Sequence, residues 1–112
     1  MANKLYKPLL IDSVLASEDL EQHRFIGFDG KYCVAGAKAL GVCDVPTESG
    51  QYVPVGVLGI LLVEAAESIA AGSEVTSDDE GKAINLGRAD IPNGYSLDTA
   101  EAGTLIRVVR GI

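Results

Sequence analysis

Leu40 to Gly50 reads LGVCDVPTESG, and the chain comes close to saying it again: Leu86 to Pro92 reads LGRADIP, and Ala100 to Gly103 reads AEAG. Aligned this way, Leu40-Gly41 faces Leu86-Gly87, Asp44 faces Asp90 and Pro46 faces Pro92. Seven extra residues, beginning at Asn93-Gly94, then separate the second copy from its Glu-x-Gly turn. Upstream, Asp29-Gly30-Lys31 matches Glu80-Gly81-Lys82, and Leu9-Leu10-Ile11-Asp12 matches Leu61-Leu62-Val63-Glu64. Several matches in the same order point to two copies of one unit, residues 9–60 and 61–112, preceded by an arm over 1–8.

The unit reads as strands and turns. An apolar strand opens each copy (Leu9–Leu15, Ile60–Ala65), and the polar SEDLEQH or ESIAAG follows, with room for one helical turn ended by Gly72. A hairpin comes next, with rising strands Arg24–Phe28 and Glu74–Ser77. Its turns are Asp29-Gly30 and Glu80-Gly81, where Gly supplies positive φ, and Lys31–Val34 and Lys82–Leu86 return. Leu40–Asp44 and Leu86–Asp90 are expected as fourth strands, stopped by a proline that has no N–H for the ladder. Gln51–Leu58 and Thr104–Arg110 are the fifth, and alternation puts Val53, Val55 and Val57 on one face. About ten short strands at this spacing predict an all-β fold, a small barrel or sandwich. So small a unit cannot bury its own apolar face, so the copies should close on each other.

The totals agree and narrow the function. In 112 residues there are 13 Gly, no Trp and 47% apolar residues, which calls for one domain with an aliphatic core. The formal charge of −7 argues against a nucleic-acid face, and its only basic concentration is Lys4 and Lys7, ahead of the first acid, Asp12. Cys33 and Cys43 are too few for a disulfide framework and read as small core residues of a soluble protein kept in a reducing cell. No secretory signal is read in MANKLYKPLL, and Val53–Val63 is too short to span a bilayer.

Catalytic templates fail in turn. His23 is the single histidine, lies in the polar run EQHR, and is read as a surface residue. Asp78-Asp79-Glu80-Gly81 lacks the alternating ligands of a calcium loop and reads as an acidic hairpin tip. No glycine pattern has the strand–loop–helix setting of a phosphate loop, and no stacking aromatics suit a single strand of nucleic acid. Neither an enzyme nor a cofactor or metal site is expected. What remains is a β domain whose edges and extended LYKPLL arm bind protein.

Glu64–Ala83, EAAESIAAGSEVTSDDEGKA, is similar to the pattern of the small capsid cement, or head decoration, proteins of tailed bacteriophages. So are the close, Ala100–Val109 (AEAGTLIRVV), and the step Leu40-Gly41-Val42 after the first hairpin. The resemblance covers residues 24–112 and carries no catalytic residues. It implies a virion protein made in the host cytoplasm that sits on the outside of the capsid, commonly as a trimer, and bridges major capsid subunits. On that reading Lys4, Tyr6, Lys7 and Leu9 would anchor the arm on the capsid. The alternative is a cytosolic β-barrel ligand-binding module or accessory enzyme subunit. There, Asp44 and Asp90 would converge where the halves meet.

Overall fold

The computed structural model describes residues 6–112. Eight strands form one antiparallel sheet: β1 (Lys7–Leu15), β2 (Phe25–Ile26), β3 (Gly41–Cys43), β4 (Tyr52–Glu64), β5 (Glu74–Ser77), β6 (Ala83–Asn85), β7 (Gly94–Ser96) and β8 (Leu105–Arg110). The order across the sheet is β2-β3-β4-β8-β7-β5-β6, and β1 pairs with β4 off that path. The sheet curls until it nearly closes, as an all-β barrel-like body. Lys7 and Pro8, read from sequence as the end of an arm, belong to β1 and pair with Ile60 and Gly59.

Two expected strands merge. Tyr52–Glu64 is a single strand of 13 residues, because the Val/Ile/Leu run continues through Gly59 without a turn. Pro54 sits inside it at little cost. Its carbonyl accepts from the Asp44 N–H (3.0 Å), and a strand residue's N–H lies on the same edge as its carbonyl. The missing donor therefore falls just past the end of β3, where the ladder stops.

The segments SEDLEQH and ESIAAG form no helical turn. Each instead makes a single bridge, Leu20 with Thr47 and Ile69 with Ala100. Of the return strands, Lys82–Leu86 shrinks to β6 and Lys31–Val34 to one bridge, Ile26 with Tyr32.

The two halves make corresponding hydrogen bonds, but not along the echo. Leu20 and Thr47 exchange backbone bonds as Ile69 and Ala100 do, and Gly50 donates to Ala16 as Gly103 donates to Ala65. Leu15 faces Tyr52 as Glu64 faces Leu105. Val42 faces Gly56 and Cys43 faces Val55, just as Tyr95 faces Val109 and Ser96 faces Val108. The structural counterpart of Leu40-Gly41-Val42-Cys43 is therefore Asn93-Gly94-Tyr95-Ser96, and no insertion separates it from Ala100–Gly103. Leu86–Asp90 is not a strand. It forms a turn in which Asp90 Oδ2 accepts from the Gly87 N–H (2.8 Å).

Packing follows this correspondence. Ala16, Leu20, Val53 and Val55 are buried in a cluster of first-half residues. Their counterparts Ala65, Ile69, Ile106 and Val108 lie in a second cluster that also takes in Phe25, Cys33, Ala39 and Val42 from the first half. One core is thus local and the other shared.

Polar groups fasten the shared core. Arg24 lies between Glu64 (3.4 Å) and Glu21 (3.6 Å) and donates to the Glu80 carbonyl, while Lys82 reaches Glu64 from the other side. The Phe25 N–H donates to the Gly81 carbonyl (2.6 Å). Asn93, 1% exposed, accepts from the Ala39 N–H (2.8 Å) and donates to the Ala37 carbonyl (2.9 Å).

Two predictions test this fastening. Replacing Asn93 with Ala strands a buried donor and acceptor, so the chemical-denaturation midpoint should fall by the equivalent of about 1–3 kcal/mol with an unchanged m-value. The Arg107 guanidinium, bonded to Asp98 (2.7 Å), holds the Asp98 carboxyl below its ordinary value. A depressed carboxyl stabilises above its unfolded pKa and loses that contribution as pH falls through the folded value. Asp98→Asn should therefore melt earlier than the wild type at pH 7, with the gap closing below about pH 4. A gap that persists in acid would assign the loss to packing.

Candidate functional site

The first strand carries the site. Among the described residues β1 pairs only with β4, which leaves its other edge without a strand partner there, and most of its side chains face solvent. Leu9 is 84% exposed, and Leu10, Ile11 and Leu15 each stay about half exposed (48%, 47%, 51%). A long apolar edge is a docking surface where nothing blunts it, and between Leu9 and Leu15 only Asp12 and Ser13 interrupt the apolar run.

The display of Leu9 has a cause. Pro8 faces Gly59 and Leu10 faces Leu58, which leaves Leu9 as the extra residue of a bulge. Bulges re-aim side chains, and this one turns a leucine outward. Gly59 makes it possible: its φ is +112°, and a Cβ there would stand 2.5 Å from the Lys7 carbonyl and 2.7 Å from the Leu9 nitrogen.

Of the four residues the sequence proposed as anchors, Lys4 lies outside the described residues. Lys7 and Leu9 are exposed at the start of β1. Tyr6 is half-buried against the shared core, so it anchors its own body rather than projecting. Burial first, and the neighbouring Asp44 carboxylate second, push its phenol up to about 12.

Beside Lys7 and Leu9 runs a cleft of about 300 Å³, floored by Leu58, Ile60 and Val109 and closed by Arg110, Gly111 and Ile112. Arg110 is 9% exposed. Its Nε donates to the Val57 carbonyl (2.9 Å) and Nη2 to those of Ala39 (3.0 Å) and Leu40 (3.3 Å). Nη1 has no partner among the described residues, and no carboxylate there pairs with this guanidinium. Sequence reasoning missed Arg110, Leu58 and Ile112. In LIRVVR, Arg110 falls on the same alternating face as Ile106 and Val108, and that was the available signal for the first.

Residues weighed for chemistry have structural work instead. Asp78 Oδ1 accepts from the Glu80 and Lys82 N–H groups and holds its own hairpin, while Asp79 accepts from the Ala35 N–H and ties the tip to the first half. Among the described residues, no three His, Cys, Asp or Glu side chains gather as a metal would require. Asp90 caps its turn, and Asp44 lies by Tyr6. The largest depression, between the Ser68–Ala70 and Asp98–Glu101 segments, is open, and its Asp98 and Asn85 are already bonded to Arg107 and Glu67.

The class of protein defined here is a small all-β, barrel-like body with an exposed apolar strand at its edge. The sequence model of the phage cement protein family matches residues 8–111, and the chain belongs to that family, whose members are structural proteins of the phage virion. The fold is also that of the solved N base of the head fiber gp8.5 in bacteriophage phi29. The two superpose with a TM-score of 0.78 at 17% identity, over 91% of this chain and 93% of that one. No curated protein matches this chain.

The cysteines provide a check on this inert interior. Cys33 and Cys43 are buried free thiols, and burial pushes both up, Cys43 to about 11. Neutral thiols are poor nucleophiles. Alkylation at pH 7 should therefore wait on unfolding and match its rate. Fast labelling of the native protein would contradict a closed core.

Proposed function

We propose that this protein cements a phage head: it binds the outer surface of the capsid and stabilises it by bridging neighbouring major capsid subunits, as a trimer and without catalysis. What carries the reading is the apolar edge of β1, present in a chain that belongs to the cement family. Fully burying a side chain such as Leu9 is worth about 1.5–3 kcal/mol. Several such contacts from a body that needs little ordering make a workable clamp, and linked copies multiply it.

The test uses expanded heads of the parent phage assembled without this protein. Added protein should bind them saturably, with a fixed number of copies per head, and raise the temperature at which they break open. Light scattering should give about three times the chain mass of 11.7 kDa. Heads that neither bind the protein nor gain heat resistance would sink the cement reading; a monomer that still binds would overturn only the trimer.

A further inference from the structure

Asn93-Gly94 is a chemically labile pair, and the fold imposes both of its members. Asparagine followed by glycine is the dipeptide most prone to deamidation, because a residue without a Cβ leaves its backbone nitrogen unshielded. Gly94 has a φ of +147°, and a Cβ there would stand 2.5 Å from Val108 Cγ1 and 2.8 Å from the Val109 carbonyl, so β8 admits no side chain. Asn93 in turn ties the halves together, through the Ala39 N–H and the Ala37 carbonyl. The first half has the same need for glycine at Gly41, where a Cβ would collide with the Gly56 carbonyl, but it places the inert Leu40 before it.

We infer that Asn93-Gly94 is a modification site held shut by the fold: it deamidates only when the two halves part, and the product hinders their return. In the reaction the Gly94 nitrogen attacks Cγ of Asn93. The new N–Cγ bond replaces the Cγ–Nδ2 bond, and the amide leaves as ammonia with the proton from Gly94. Water then opens the five-membered imide at either carbonyl, giving aspartate or its β-linked isomer, a net exchange of ammonia for water. Nothing is oxidised or reduced, so access and geometry set the rate. The closed state denies both. Asn93 is 1% exposed, which keeps out water and hydroxide. Its Oδ1 and Nδ2 are gripped by the first half, which holds Cγ away from the Gly94 nitrogen. The Asn93 N–H, bonded to the Val75 carbonyl (2.8 Å), fixes the backbone as well. Once formed, aspartate has no N–H for the Ala37 carbonyl, and the β-linked isomer adds a backbone carbon to a strand that must pair with β5 and β8.

The test is a timed incubation of the whole protein at mildly alkaline pH, native and in denaturant, followed by peptide mapping for conversion of Asn93. Conversion in the native protein should be at least about a hundredfold slower than in the unfolded chain, because it waits on a rarely populated open state. Val108→Ala loosens the contact at Gly94 without removing any group that reacts. It should speed native conversion and leave the unfolded rate unchanged. Should that variant fail to fold, low denaturant on the wild type raises the open population and gives the same comparison. Native conversion at close to the unfolded rate would overturn the inference. So would an unaltered native rate once either treatment has made opening easier.

Refolding reads the second step. Chains unfolded briefly should regain the native state, whereas chains held unfolded until Asn93 has converted should refold with a lower denaturation midpoint or not at all. Asn93→Asp, made directly, separates this loss from other damage of long unfolding and should share it. Full recovery of the converted chains, or an Asn93→Asp protein as stable as the wild type, would overturn the claim that the product hinders closure.

Discussion

The fold depends on one strand doing the work of two. β4 pairs with β1 over its whole first part, with β3 at Gly56 and Val55, and with β8 from Gly59 to Glu64. A turn at Gly59 would have released the halves to fold side by side. Without one, the fifth strand of the first half is continuous with the opening strand of the second, and the two must share a sheet. The second-half core then closes on Phe25, Cys33, Ala39 and Val42, so parting the halves would open the second half's interior and leave the first only its local cluster.

This continuity also explains why β1 is exposed. In their pairing, Ile11, Asp12, Ser13, Val14 and Leu15 stand toward residues 52–56 as Ile60, Leu61, Leu62, Val63 and Glu64 stand toward residues 105–109. Leu61, Leu62 and Val63 are buried, Leu61 and Val63 in the shared core, whereas the middle of β1 is exposed. Its middle carries Asp12 and Ser13 where β4 carries Leu61 and Leu62. The polar pair lowers the hazard of a bare edge at its centre. The apolar residues are left at the two ends of the strand, Leu9 to Ile11 and Leu15.

The class of fold was legible because strand period, turn glycines and aliphatic composition all agree here. The register of the second half was not. Leu86–Pro92 shares letters with Leu40–Pro46, but those letters are turn formers, and Asp90 uses them to cap a turn at Gly87. The true counterpart, Asn93–Ser96, looks dissimilar because its first residue spans to the other half instead of filling its own. Leu40 is aliphatic there, while Asn93 must bond Ala39 and Ala37. Of the site, Lys7 and Leu9 could be read from an extended, apolar N-terminal stretch. Leu58 and Arg110 could not, since only the β4–β8 pairing brings the ends of distant strands beside the start of β1.

The bulge at Leu9 decides what the edge of β1 can offer a partner. Leu9 is kept extended outward by the Pro8–Leu10 bulge before any partner arrives. Because Gly59 permits that bulge and Gly59 is also where β4 passes from one half to the other, the geometry of the contact is fixed by the same residue that joins the fold. A partner would meet a surface already in shape, and little of the contact energy would be spent on ordering it.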